Sequence, residues 1–277
     1  MEAIVVGVDG SDASLDALSW ADHLAWRTGA ELLAVRADLP RHGSLSPSLY
    51  TELADKARHQ IGMWAKQRDL VLAPTSVVAD EDPRAALVAV AAERAADLLV
   101  IGARGNSSVA GTVLGGVARH LTLHPERPLA VVPAGAAADT RHVVIGVDGS
   151  TGSAAAVQFC ARLAKELDIP VTAVLAREPA AERLSPPGTD DRTEDEHQVR
   201  SWVEPIATAG VPLEVVVEHD VHPVGALTAA LADHPGSLAV LGTRGRGGFA
   251  GLRLGRVPLQ LLHHTTAPVV IVPIART

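Results

Sequence analysis

The chain has 277 residues, enough for two domains of ordinary size that each bury a core. Apolar residues make up 47% of it and aromatics only 3%, so those cores are built from Ala, Val and Leu. The net charge of −8 argues against a nucleic-acid surface, the single Cys160 excludes a disulfide framework or a Cys-based metal site, and no window reaches the roughly 18 apolar residues of a membrane span, so a soluble, cytoplasmic protein is expected.

Strand and helix signals alternate along the chain. Residues 3–8 are a short β-branched run that fits a strand buried on both faces. Ser11 is placed to cap a helix running through Leu15, Leu18 and Leu24 and stopping at Gly29. A strand at 31–36, a polar loop at 37–48 and a helix at 50–68 with Trp64 turned inward follow, then a strand at 75–79. Pro83 suits the first turn of a helix at 84–95. A strand at 97–101, a Gly-rich loop, a helix at 113–124 and a strand at 129–132 complete the series. It then begins again, with strand 142–147, helix 151–167, strand 171–176 and a longer loop at 177–191. The next helix, 193–209, carries Trp202 at the place of Trp64 and should be kinked or split by Pro205. Strand 213–218, helix 224–233, strand 238–241, a second Gly-rich loop, a helix and strand 269–272 end the chain.

The two series are copies, about 140 residues apart. Val6-Gly7-Val8-Asp9-Gly10-Ser11 returns as Ile145-Gly146-Val147-Asp148-Gly149-Ser150, and Val100-Ile101-Gly102-Ala103-Arg104-Gly105 returns as Val240-Leu241-Gly242-Thr243-Arg244-Gly245. A period this long is no solenoid repeat, so each copy is a domain, 1–136 and 141–277, joined by a short linker. Helices between buried strands predict an α/β fold: two tandem, doubly wound, five-stranded parallel-sheet domains, Rossmann-like in outline. Such a sheet takes ligands at the carboxyl ends of its strands where strand order reverses, here expected between the first and fourth strands of each copy.

Both copies place special residues there. Asp9 and Asp148 end a buried strand, and two readings stay open: a carboxylate that accepts hydrogen bonds from a ribose or base, or a tight Asp-Gly-Ser turn with a helix cap. Gly102-x-x-Gly105, nine residues, then Gly115 is matched by Gly242-x-x-Gly245, nine residues, then Gly255. Glycine lets backbone approach a ligand closely, and the last glycine of each set stands at a helix start, whose free N–H groups favour an anion. Strand, loop of N–H groups and helix start together describe a phosphate cradle.

On these residues the chain resembles the universal stress proteins, in the tandem two-domain form common in actinobacteria. The resemblance runs through both copies and implies an adenine nucleotide alpha-hydrolase-like fold, with ATP held at the early Asp and the Gly loop, Mg²⁺ accompanying it. Carried over, Gly7, Asp9 and Val35 border the adenine side of the first site. Gly102, Ala103, Arg104, Gly105, Asn106, Ser107, Ser108 and Gly115 hold the phosphates, with Gly116 and Val117 beside them. In the second site the matching residues are Gly146, Asp148 and Val174, then Gly242, Thr243, Arg244, Gly245, Arg246, Gly247, Gly248 and Gly255, with Arg256 and Val257. The pattern departs at one place: Gly116 and Arg256 stand where the family has Ser or Thr. Loss of one hydroxyl-to-phosphate hydrogen bond costs about 1.5–3 kcal/mol, roughly ten- to hundredfold in affinity. Arg256 substitutes a cation or obstructs the space, and Pro258 removes an N–H from the first helical turn. The resemblance also implies that the apolar last strands pair across a pseudo-twofold axis, and that two chains can associate into a homodimer.

Other motifs are weaker. Gly245-x-Gly247-x-x-Ala250 has the dinucleotide spacing but follows a fourth strand rather than a first, and no Walker sequence occurs. His120 with His124, and His219 with His222, lack an evident third metal ligand. No catalytic set recurs in both copies, so the expected function is a nucleotide-dependent regulator of stress response or dormancy, acting on an unidentified protein partner. A scaffold that has lost ATP is the alternative, and slow ATP hydrolysis is the most an enzyme reading supports.

Overall fold

The computed structural model describes residues 1–37, 39, 45–79, 82–106, 114–178, 191–245 and 254–274, with backbone alone at 191–192. The chain divides into two compact units, Met1–Asp139 and Thr140–Thr277.

The first unit runs β1 (Ala3–Gly7), α1 (Asp12–Thr28), β2 (Glu31–Arg36), α2 (Pro47–Gln67), β3 (Thr75–Val78), α3 (Pro83–Glu93), β4 (Leu98–Gly102), α4 (Gly116–Leu123) and β5 (Leu129–Val132). Its strands are parallel in the order β3-β2-β1-β4-β5, so chain direction across the sheet reverses between β1 and β4, as the sequence predicts. In register, Gly7 pairs with Val35, and Gly102 with Val132, which brings the motif residues to one end of the sheet. Ser11 caps α1 by accepting from the Ser14 N–H, and Gly29 ends the helix at φ 72°. Asp82 caps α3 with Pro83 in its first turn. The core is mainly aliphatic, with Ile4, Leu18, Leu33, Leu98 and Leu129 fully buried, and it includes Trp20, which is 1% exposed. Trp64, by contrast, is only half-buried. Its ring lies against the β1–α1 turn, where Gly10 (φ 82°) leaves no room for a Cβ, and the Arg36 guanidinium sits 5.4 Å from the ring centroid.

The second unit runs β6 (His142–Gly146), α5 (Thr151–Leu167), β7 (Val171–Arg177), α6 (Asp191–Trp202), α7 (Glu204–Thr208), β8 (Leu213–His219), α8 (Pro223–Asp233), β9 (Ser237–Gly242), α9 (Arg256–His264) and β10 (Val269–Val272). Its parallel order is β8-β7-β6-β9-β10, the same winding. The break between α6 and α7 falls at Val203, with Pro205 in the first turn that follows, where its missing N–H needs no partner. Cys160 is fully buried on α5, and burial pushes its thiol far up, so it is an inert part of the core.

Candidate functional site

Each site is assembled where the carboxyl ends of β1 and β4, or of β6 and β9, meet the starts of two helices. The approach is close because glycine permits it. A Cβ on Gly102 would stand 2.6 Å from the Ala13 carbonyl carbon and 2.7 Å from the Ser14 nitrogen. A Cβ on Gly242 would stand 2.3 Å from the Gly152 carbonyl carbon. The end of the fourth strand thus lies directly on the backbone of the first helix.

A hydrogen-bonded frame holds the loop in place. The residue after each strand uses both backbone groups: Ala103 N–H donates to Val132 O (2.8 Å), and Ala103 O accepts from Gly115 N–H (2.8 Å). The second unit repeats this, with Thr243 N–H to Val272 O at 3.1 Å and Gly255 N–H to Thr243 O at 2.7 Å. The cap serines add a cross-link, since the Ser11 hydroxyl donates to Arg104 O and the Ser150 hydroxyl to Arg244 O, each at 3.1 Å. Ser14 and Ser153 lie beneath them, nearly buried, and accept from the N–H groups of Asp9 (3.3 Å) and Asp148 (3.3 Å). Sequence reasoning passed over both. The signal was present, because Ser-x-x-Ser follows Asp-Gly in each copy.

Asp9 takes part in the turn and in the loop. Its Oδ1 accepts from the Ser11 N–H (3.0 Å) and hydroxyl (2.6 Å), and its Oδ2 accepts from the Asn106 N–H (2.8 Å). Asn106 Nδ2 returns a bond to the Asp9 carbonyl at 2.6 Å. Burial alone raises the Asp9 carboxyl, but the hydrogen bonds from the Ser11 side chain and backbone, the Asn106 backbone and the Ser14 side chain outweigh it and hold it below the usual carboxylate range. Asp148 Oδ1 likewise accepts from the Ser150 N–H at 3.0 Å. Gly105 and Gly245 stand over the other oxygens, where a Cβ would come within 2.5 Å of Asp9 Oδ2 or 2.2 Å of Asp148 Oδ2.

The helix starts differ between the units. Gly115 and Gly255 are N-caps without a side-chain cap bond. In α4 the N–H groups of Gly116, Val117 and Ala118 precede the first intrahelical bond and have no acceptor among the described residues. In α9 only Arg256 and Val257 offer such groups, because the third position is Pro258. Gly116 and Arg256 are exposed.

Of the remaining candidates, Val35 and Val174 are 2% and 3% exposed, and their carbonyls accept from Val8 (2.9 Å) and Val147 (3.0 Å), so their side chains lie in the core under the site. Gly7 and Gly146 face leucines, Leu87 and Leu241, and serve packing there. Arg104 is exposed and Arg244 half-exposed. Ser107, Ser108, Arg246, Gly247 and Gly248 lie outside the described residues. The His120 and His124 rings lie 5.0 Å apart, and no group of three or more His, Cys, Asp or Glu among the described residues is placed to hold a metal ion.

The universal stress protein family matches residues 1–133 and again 139–273. The chain belongs to that family. A universal stress protein of Mycobacterium tuberculosis is 28% identical over 288 aligned residues, spanning 97% of this chain and 96% of its own length. A universal stress protein from Archaeoglobus fulgidus has the same fold over 98% of both chains, with a TM-score of 0.66 at 15% identity. Another universal stress protein, solved in complex with cAMP, aligns with 48% of this chain at 26% identity and a TM-score of 0.40. Among the described residues no helix is long and apolar enough to cross a membrane.

Proposed function

We propose that the chain is a cytoplasmic, nucleotide-dependent regulator that binds ATP, with Mg²⁺, at the Gly-rich loop of one or both units. The observation that carries this reading is the start of α4. Three N–H groups there, on Gly116, Val117 and Ala118, point out of a helix whose cap has no side-chain bond. The positive end of the helix and its unused donors favour a phosphate, and the neighbouring loop brings Gly105 against Asp9. The adenosine would lie toward Asp9 and the carboxyl end of β1, the phosphates over Gly115 to Val117. Residues 146, 148, 242–245 and 255–257 take these roles in the second unit, with Arg256 supplying charge in place of the N–H that Pro258 lacks. The carboxylate and hydroxyl at each frame, Asp9 with Ser11 and Asp148 with Ser150, are hydrogen-bonded into the turn and the helix cap, and in this reading occupancy rather than turnover is the signal, passed to a protein partner or to a second copy of the chain.

The alternative is a scaffold of the same family without nucleotide. It is favoured by the absence of a hydroxyl at 116 and 256. Calorimetry with Mg²⁺ and ATP on the full chain, counting sites, separates the two. One or two sites are expected, and no heat at millimolar ATP overturns the nucleotide reading.

A further inference from the structure

Asp9, which the reading above assigns to the nucleoside, is already occupied from within the loop. Both carboxylate oxygens accept hydrogen bonds, Oδ1 from Ser11 and Oδ2 from the Asn106 N–H at 2.8 Å. The Asn106 side chain fastens the same pair a second time, Nδ2 to Asp9 O at 2.6 Å. Gly105 lies so close over Oδ2 that not even a methyl group would fit between them. The Ser11 bonds belong to the turn and to the helix cap, because the same hydroxyl also meets Ser14 N–H and Arg104 O. The Asn106 bonds belong to the loop, and they span 97 residues of chain. A ligand hydroxyl or amine seeking Oδ2 meets a donor already in place.

We infer that Asn106 is a latch: it fastens residues 105–106, after β4, onto Asp9 and competes with a nucleoside for that carboxylate, so that binding requires this contact to open. This rests on the nucleotide reading of the site. The latch is particular to the first unit in sequence, since the second copy has Arg246 at the matching position. Its consequence is thermodynamic. When only the fraction with the Asn106–Asp9 contact open is competent, the apparent dissociation constant rises by the inverse of that fraction. The Asn106 side-chain bond is a neutral one at an exposed position, so removing it should raise the open fraction about three- to tenfold.

The test is Asn106→Ala in the full chain, followed by amide exchange of residues 103–106 while adenosine or Mg²⁺-ATP is titrated, which reads the first unit alone. Without ligand, exchange at 105–106 should quicken by about three- to tenfold. Adenosine and ATP should then both bind tighter by a similar factor, because the competition is for Asp9 and not for the phosphates. Binding by the variant alone would mark a stronger latch and supports the inference. Faster exchange with unchanged or weaker binding overturns it and makes Asn106 a bystander or a ligand contact. Unchanged exchange overturns it as well. If neither protein binds either ligand, the nucleotide reading itself fails, and the latch as a gate on it falls too.

Discussion

Gly116→Ser is expected to tighten Mg²⁺-ATP binding by the first unit about tenfold. Gly116 opens α4, is exposed, and a Cβ built on it meets nothing within 4 Å among the described residues, so serine enters without displacing any of them. Its hydroxyl would stand beside the open N–H groups of Val117 and Ala118. A hydrogen bond to a charged oxygen contributes about 1.5–3 kcal/mol, and fixing the serine side chain costs about 0.5 kcal/mol. The remainder, about 1–2.5 kcal/mol, is roughly five- to seventyfold in affinity. Serine is also a better helix former than glycine by a few tenths of a kcal/mol, so the ligand-free protein should melt no lower than the parent. The assay is calorimetry of parent and variant with ATP and, in parallel, with adenosine, which has no phosphate and should bind equally to both. A properly folded variant with unchanged ATP affinity refutes the placement of phosphate at α4, and so does an equal gain for adenosine.

Arg256→Gln should weaken ATP binding by the second unit about tenfold, with the deficit shrinking as salt is raised, since a screened cation is being removed; a deficit insensitive to salt would point to packing instead. Gly102→Ala forces a Cβ into the backbone of Ala13 and Ser14. It should cost the first unit about 1–3 kcal/mol, read as faster amide exchange in β1 and β4 with the second unit unaffected, and full retention of stability would contradict the close approach. His142 stacks on His234 with ring centroids 3.8 Å apart, and burial, aided by His234 and opposed by Glu214, pushes its pKa down to about 4. Its folded value lies below the unfolded one, near 6.5, so the neutral ring's contribution is full above that pH and is lost as pH falls toward 4. With the ring partly exposed, solvent screening leaves about 1–2 kcal/mol. Thermal melts of the parent should fall between pH 7 and pH 4 (about the span of the two pKa values) by more than those of His142→Gln, and parallel curves would remove the effect.

Much of the architecture was legible because the chain states it twice. The strand-end glycines, the Ser11 and Ser150 caps and the division of a helix by Pro205 follow from local rules that act within a few residues. What escaped depends on partners distant in sequence. Asp22 is fully buried on α1 and accepts from the N–H groups of Val71 and Leu72, both at 2.8 Å. Nothing near residue 22 announces those acceptor bonds, and the second copy, with Ala161 in that place, gives no hint. Trp64 has the spacing of a core residue, yet the left-handed Gly10 opens a seat for it on the turn, so it ends half-buried beside the site. The position of Asp9 was legible, but its engagement by Asn106 was not, because it depends on how the loop returns from β4.

The close contacts also decide at which glycines a substitution can test for a ligand without disturbing the fold. Gly102 and Gly242 lie on the backbone of the first helix, Gly105 and Gly245 on a carboxylate, and Gly7 and Gly146 against leucines. Packing alone accounts for all six, so none of them requires a nucleotide. Gly116 is different: among the described residues a Cβ built there meets nothing within 4 Å, so a side chain can be introduced at the helix start without disturbing the packing. Gly116→Asp therefore separates fold from function by sign. A carboxylate in the first turn complements the helix dipole and should stabilise the first unit by about 0.3–1 kcal/mol. The same charge within about 4–5 Å of a bound phosphate opposes it by about 1–4 kcal/mol, at least fivefold in affinity. A rise in melting temperature together with lost ATP binding and retained adenosine binding is the expected pair of results. Loss of stability would assign Gly116 to the fold, and unchanged ATP affinity would move the phosphates away from α4.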